Sequence, residues 1–61
     1  MEYEIGNEVS YRLKKQPIPG QINYGGIVDV VNKKYIIEDA NGDLIEVTET
    51  EVVSLMDSDG Y

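Results

Sequence analysis

The side chains that most often carry enzyme chemistry are missing from this sequence of 61 residues. It contains neither histidine nor cysteine, so the commonest general base, the commonest metal ligand and every thiolate are excluded. A serine would need an activating neighbour, and Ser10 falls on the exposed face of a predicted strand. The pairs Glu49/Glu51 and Asp57/Asp59 fall in predicted turn and tail positions, whereas general acid–base catalysis needs sheltered carboxylates with separated pKa values. We therefore expect no catalytic residue, no cofactor and no enzymatic activity.

Residues 39–43, Asp-Ala-Asn-Gly-Asp, have the composition of a calcium-binding loop. An EF-hand loop has its glycine at the sixth position, whereas Gly42 is the fourth residue of this run. A tight hairpin turn at Asn41-Gly42 accounts for the same residues without an ion. Residues 57–60 are acidic as well but have no further ligands nearby in the sequence. The sequence therefore predicts no metal site.

The five basic residues fall in two clusters, one before the two prolines and one near the middle of the chain. Tyr24 and Tyr35 lie close to these clusters in the sequence. The combination predicts a positive, aromatic groove formed by Arg12, Lys14, Lys15, Tyr24, Lys33, Lys34 and Tyr35. Such a groove suits a phosphate, a strand of nucleic acid or an acidic peptide. The alternative is structural, with Tyr35 in the core, Tyr24 covering one end of the fold, and the lysines solvated in turns.

The competing feature is an excess of carboxylates, since 12 acidic residues against 5 basic ones give a net charge of −7. An acidic face is predicted around the hairpin and the helical turn, formed by Glu38, Asp39, Asp43, Glu46, Glu49 and Glu51. Spaced carboxylates on a rigid scaffold can imitate a phosphate backbone and occupy the basic groove of a DNA-binding protein, in a manner that salt screens. The same charge disfavours nucleic acid as a partner, and it also serves solubility.

Five short stretches of the chain have the pattern of β-strands. Strict alternation over residues 8–13 predicts a half-buried strand with Val9 on its inner face. Further β-prone stretches follow at residues 27–31, 35–37, 44–47 and 52–55. Residues 14–25 hold Pro17 and Pro19, which cannot donate to a central ladder, so they predict a long first loop.

Two local signals specify the connections between the later strands. Asn41-Gly42 predicts a type I′ hairpin turn, which needs positive φ at both central residues. Thr48 and Glu51 have the spacing of a capping box and predict one helical turn before the last strand. Together these features describe a single antiparallel all-β domain over residues 1–61, with its core at about residues 5–55 and a polar tail at residues 56–61.

The run from Gly6 to Tyr11, followed by a loop and the run from Gly26 to Val31, resembles the opening of KOW, Tudor and related SH3-like modules. It is also similar to small SH3-like proteins of Gram-positive bacteria and their phages. The resemblance implies a five-stranded SH3-like barrel with one short helical turn before the last strand, in which the two basic loops flank one groove. It implies a non-enzymatic module that binds a protein partner. An acidic inhibitor of a nucleic-acid-binding protein, phage-encoded or not, and a KOW-like nucleic-acid contact through the basic loops are the alternatives.

The stretch from Lys34 to Glu38, with Gly42 beyond it and residues 20–22 before it, is also similar to the plasmid-borne type II dihydrofolate reductases. Those enzymes are tetrameric SH3-like barrels whose central pore is lined by a Val-Gln-Ile-Tyr motif. The corresponding residues 44–47 of this chain are Leu-Ile-Glu-Val. Because the glutamine and tyrosine of the pore are absent, the resemblance implies the fold and not the activity.

The sequence also limits where the protein acts and with what. No apolar stretch approaches the roughly 20 residues that span a bilayer, and the acidic start of the chain is unlike a signal peptide. We expect a cytoplasmic protein with no membrane contact and a protein partner whose identity the sequence does not give. A homo-oligomer is a further expectation, because Ile27, Val31, Ile36 and Leu44 exceed what one inner face of a small barrel can bury.

Overall fold

The computed structural model describes residues 2–56, in which the chain forms one sheet of five antiparallel strands. The strands are β1 (Glu8–Tyr11), β2 (Asn23–Val31), β3 (Lys34–Asp39), β4 (Leu44–Thr48) and β5 (Val52–Met56). Their order in the sheet is β4-β3-β2-β1-β5. A short 3-10 turn, Glu49–Glu51, connects β4 to β5. The all-β prediction, with one helical turn before the last strand, is confirmed.

The second strand begins earlier than its sequence indicates, and the first loop is correspondingly shorter. Gly25 and Gly26 belong to β2 and pair with Asp39 and Glu38 of β3. A Cβ added at Gly25 would lie 2.5 Å from Ile37 Cγ2 and 2.7 Å from the Glu38 carbonyl oxygen. The prediction that the first loop extends to residue 25 was wrong, because at Gly25 the absence of a side chain allows two strands to approach closely.

The tight hairpin turn lies between β2 and β3, and not at the predicted position between β3 and β4. The two-residue turn with positive φ at both positions is Asn32-Lys33, where φ is 51° and 63°. At the predicted position, only Gly42 has positive φ, 85°. The Gly42 N–H donates to the Asp39 carbonyl at 3.0 Å, and the Asp39 N–H donates to the Asp43 carbonyl at 2.9 Å. The loop is therefore wider than a type I′ turn, and that prediction was wrong.

The wider turn is stabilised by a side chain that the sequence did not single out for this role. One oxygen of Asp39, Oδ1, accepts hydrogen bonds from the backbone N–H groups of Asn41 and Asp43, each at 2.9 Å. An aspartate that satisfies turn amides in this way favours an Asx-type turn over the tighter alternative.

The hydrophobic core lies on the inner face of the curved sheet. Alternation in β3 and β4 buries Tyr35, Ile37 and Val47, while Ile36 between the first two is half-buried. The complete buried set is Val9, Tyr11, Ile27, Tyr35, Ile37, Val47 and Val52. A bulge between Ile27 and Asp29 shifts the register of β2 against β3. Such a bulge bends a strand, which is how a stretch of β2 that is apolar on both faces follows the curve.

The segment before β1 closes one side of the core. The Tyr3 ring packs edge-on against Tyr35, with centroids 5.7 Å apart and planes at 70°. The Gly6 N–H donates to the Ile27 carbonyl at 2.8 Å. The packed region therefore begins at Tyr3 and not at residue 5. At the other end, Met56 belongs to β5, whereas the remainder of the predicted tail lies outside the described residues.

Ser10 was predicted on an exposed face, and that prediction was wrong. Its side chain is only 4% exposed. The reason is the position of β1, which has β2 on one side and β5 on the other, so that Ser10 is paired with both Tyr24 and Ser54. Its hydroxyl lies 2.9 Å from Ser54 Oγ. Ser10 therefore links two strands.

No helix among residues 2–56 is long and apolar enough to cross a bilayer.

Candidate binding site around Tyr24

Part of the predicted basic groove lies next to the 3-10 turn. The Arg12 N–H donates to the Glu51 carbonyl at 2.8 Å, and the Lys14 N–H donates to Glu51 Oε2 at 3.1 Å. Lys34 pairs with Thr48, the residue before the turn. The structure thus brings the ends of both basic clusters to one turn, with carboxylates between them.

The side chains of these basic residues remain in solvent. Lys34 Nζ lies 3.9 Å from Glu46 Oε1, and both side chains are about half exposed. Lys15 is exposed in the first loop, and Lys33 is exposed in the turn between β2 and β3. Exposed pairs at such distances contribute little to stability. The cations therefore surround the 3-10 turn without forming a walled groove.

The two tyrosines of the predicted groove do not join these cations. Tyr35 is fully buried; its hydroxyl accepts the Tyr3 N–H at 3.0 Å and donates to Glu49 Oε2 at 3.3 Å. Its assignment to a binding surface was wrong, because the inward alternation of β3 places it in the core. Tyr24 is 58% exposed, but the length of β2 separates it from Lys33 and Lys34.

Three of the six predicted acidic-face residues have carboxylates that accept hydrogen bonds from backbone N–H groups. Besides Asp39, these are Glu49 and Glu51. Glu49 Oε2 accepts the Glu2 N–H at 2.8 Å. Glu51 Oε1 accepts the Thr48 N–H at 2.8 Å, as the predicted capping relation requires, and the Thr48 hydroxyl at 3.0 Å. Partial burial raises the pKa of Glu51, but its hydrogen bonds from Thr48 and Lys14 outweigh burial and hold that pKa below 4.5.

The remaining three acidic-face residues are exposed. Glu38 lies near the end of β3, Asp43 in the hairpin loop, and Glu46 in the middle of β4. None of their carboxylates accepts a hydrogen bond within residues 2–56. They are the part of the predicted acidic face that is available to a partner.

The exposed Tyr24 stands between two adjoining clefts of about 300 and 370 Å³. Tyr24, Asp39 and Ala40 line both clefts. The first is completed by Tyr11, Ile22, Asn23 and Asn41, and the second by Glu8, Gly25, Gly26 and Glu38. Three of these lining residues are carboxylates, and no lysine or arginine of the described region is among them. The clefts therefore combine an aromatic ring with negative charge.

The two glycines shape the second cleft. Gly25 allows β2 to approach β3 closely, and the backbone of Gly26 is open to the cleft beside Glu8 because no side chain covers it. A Cβ on Gly26 would meet nothing closer than Glu8 Oε2, at 3.7 Å. Sequence reasoning missed this site, although an exposed tyrosine followed by two glycines inside a strand is a signal of open space next to a backbone.

The first cleft has an unusual polar group in its wall. Tyr11 is only 2% exposed, and its hydroxyl makes no hydrogen bond in the part of the chain that the structure describes. Burial and then the negative charge of Asp39 raise the pKa of Tyr11 above its ordinary 10.0, so the hydroxyl stays neutral. Both turn hydrogen bonds of Asp39 use Oδ1, which leaves Oδ2 without one. Every buried polar side-chain atom in residues 2–56 has a hydrogen-bond partner, so the Tyr11 hydroxyl, which has none among these residues, lies at the surface of the cleft. The hydroxyl and Asp39 Oδ2 are therefore two acceptors that no group of the described residues uses.

Comparison of the chain with protein-family models, curated proteins and solved structures gave no match. The resemblance to SH3-like modules therefore stays a prediction. Across residues 2–56, no group of three or more carboxylates is arranged to hold a metal ion.

Proposed function

We propose that this protein is a small non-enzymatic module that binds a partner protein, and that Tyr24 with its two clefts makes the contact. The supporting observation is the exposure of Tyr24, at 58%, between two clefts that it lines itself. Tyrosine is enriched in protein interfaces because it supplies a large, rigid contact area and a polar end. The proposal places the protein in the cytoplasm.

The size of the clefts favours a side chain over a cofactor. At about 300 and 370 Å³, each is at the lower limit of the ~300–1,000 Å³ that small-molecule pockets occupy. A partner that inserts one or two side chains beside Tyr24 would use the space that is available. A protein interface of this kind needs no nucleophile or general base, which agrees with the residue types in the sequence.

The test is capture of a partner by the tagged protein from a bacterial lysate, with and without nuclease, followed by reconstitution from purified components. We expect a stoichiometric protein that survives nuclease, binds again when purified, and is lost with Tyr24→Ala. Leu55→Ala is the matched control, because Leu55 is similarly exposed, at 53%, but lies on β5. If no protein survives nuclease, or if Tyr24→Ala and Leu55→Ala behave alike, the proposal is wrong.

A second candidate is the acidic inhibitor, which the exposed carboxylates of the β3–β4 hairpin favour. Asp43 and Glu46 are exposed, and their carboxylates accept no hydrogen bond from a backbone N–H group of residues 2–56. Asp43→Lys combined with Glu46→Lys should therefore abolish the imitation of a phosphate backbone without unfolding the domain. Glu49 and Glu51 are unsuitable for this test because their carboxylates accept backbone N–H groups. Binding that depends on these charges should weaken steeply with salt, whereas docking driven by apolar burial should change little.

The nucleic-acid alternative has weaker support. Arg12, Lys14 and Lys34 surround the 3-10 turn, where Glu46 and Glu51 partly offset their charge. Retention that disappears with nuclease, and with Lys14→Glu combined with Lys33→Glu, is the result that would favour it.

A further inference from the structure

We propose that the first cleft binds the guanidinium group of an arginine in a basic segment of the partner protein. This inference rests on the proposed function and names the chemistry that the Tyr24 site recognises. Three features carry it: the charge around the clefts, the exposed ring of Tyr24, and the unused acceptors in the cleft wall.

The negative charge around the clefts favours a cation as the ligand. Glu8, Glu38 and Asp39 contribute carboxylates to the lining, and none of the cleft residues of the described chain is basic. The protein as a whole has a net charge of −7. Negative walls with no compensating cation attract positive groups and speed their encounter.

The ring of Tyr24 favours a planar cation over a compact one. A cation over an aromatic face is attracted by the ring quadrupole. Guanidinium is planar and weakly hydrated, so it stacks on such a face more readily than an ammonium group does. Tyr24 separates the two clefts, so a group stacked on it lies within the carboxylate field of both.

The acceptors in the wall match the donors of arginine. Guanidinium carries five N–H donors and no acceptor, and a cation that leaves water needs partners for those donors. The Tyr11 hydroxyl, at the surface of the first cleft and without a hydrogen bond in the described chain, is one acceptor. Asp39 Oδ2 is another, because both turn amides bind Oδ1. A single guanidinium group can therefore stack on the Tyr24 ring and donate hydrogen bonds to both acceptors in the cleft wall.

The test is a nuclear magnetic resonance titration of the ¹⁵N-labelled full chain with an acetylated and amidated peptide, Gly-Arg-Gly-Arg-Gly. Matched peptides carry lysine or citrulline in place of arginine; citrulline keeps the shape and removes the charge. We expect the arginine peptide to bind weakly, with a Kd on the order of 1 mM, and to move the amide signals of Gly25, Gly26, Ala40 and Asn41. The lysine peptide should bind at least ~3-fold more weakly, and the citrulline peptide should not bind.

Four variants assign the contacts. Tyr24→Ala should weaken the arginine peptide ~5-fold, and Tyr11→Phe, which removes only a hydroxyl, about 10-fold. Glu38→Gln should weaken it ~3-fold. Glu46→Gln is the matched control, because it removes the same charge from an exposed position that lines neither cleft, and it should change the affinity by less than ~1.5-fold.

Several results would overturn the inference. They are equal binding of the citrulline peptide, equal binding of the lysine peptide, and equal effects of Glu38→Gln and Glu46→Gln, which would indicate charge attraction without a site. The proposed function fails separately. If no peptide binds but the purified partner still requires Tyr24, the arginine inference is wrong and the docking surface stands. If the arginine peptide binds but Tyr24→Ala does not change the affinity for the partner, the assignment of the docking surface is wrong.

Discussion

The two ends of β3 contain the same kinds of side chain in opposite roles. At the Lys34 end, Tyr35 is buried and the carboxylates of Glu49 and Glu51 accept hydrogen bonds from the backbone. At the Asp39 end, Tyr24 is exposed, and Glu38 accepts no hydrogen bond within the described residues. For these side chains, burial and hydrogen-bond partners, and not residue type, therefore distinguish those that build the fold from those that are available for binding. Asp39 does both, because Oδ1 accepts two turn amides while Oδ2 accepts no hydrogen bond within the described residues.

Replacing a tyrosine at each end should give the largest difference. Tyr35→Ala removes a fully buried ring and two hydrogen bonds, so it should cost about 3–5 kcal/mol. The total stability expected for a domain of this size is only ~3–9 kcal/mol, so much of the protein should unfold at 25 °C. Tyr24→Ala should cost less than about 1 kcal/mol. Urea denaturation followed by circular dichroism measures both, and similar losses would contradict the division of roles.

The two adjacent glycines of β2 should differ as well. An alanine at position 25 would press on the Glu38 carbonyl, which is backbone and cannot move aside, whereas an alanine at position 26 meets only open space and the Glu8 side chain. We expect Gly25→Ala to lower the free energy of unfolding by about 1–3 kcal/mol, and Gly26→Ala to change it by less than ~0.5 kcal/mol. Thermal unfolding of the pair distinguishes them. Tolerance of Gly25→Ala would show that β2 and β3 can separate there.

Glu51 should make the Lys34 end sensitive to acid. Because folding lowers its pKa below 4.5, its contribution is present above that pH and is lost as the pH falls through the lowered pKa. Glu51→Gln should cost about 1 kcal/mol at pH 7, and the difference from the wild type should shrink at pH 3. Denaturant midpoints at both pH values measure this. Glu38→Gln is the control, and an equal loss at pH 7 would mean that the hydrogen bonds of Glu51 contribute nothing.

The sequence was sufficient for the elements whose own residues specify them. The β-prone stretches at residues 35–37 and 44–47 predicted β3 and β4, and the Thr48–Glu51 spacing predicted the helical turn. Ser10 was missed because a pattern within one strand does not show how many neighbours that strand has. Gly25 was taken for a loop residue because the close approach of β3 is a property of the pair of strands.

The candidate site was harder to predict for the same reason. Its residues come from the end of the first loop, from β1, β2 and β3, and from the loop after β3, and no local motif connects them. The sequence identified Tyr24 and Asp39 but assigned them to different surfaces, one basic and one acidic. Only the register, which pairs Gly25 with Asp39, brings them together.

The smallest expected effect concerns the turn between β2 and β3, at the Lys34 end. Lys33 has a φ of 63°, a left-handed conformation that is unfavourable for a residue with a Cβ and that a two-residue turn of this kind normally fills with glycine. Lys33→Gly should therefore stabilise the protein, by about 0.5 kcal/mol once the greater freedom of glycine in the unfolded chain is counted. Asn32→Gly should gain less, because asparagine tolerates positive φ. Denaturant midpoints of the two variants measure the difference, and a loss of stability in Lys33→Gly would mean that the lysine side chain makes a stabilising contact that outweighs the strain of its backbone.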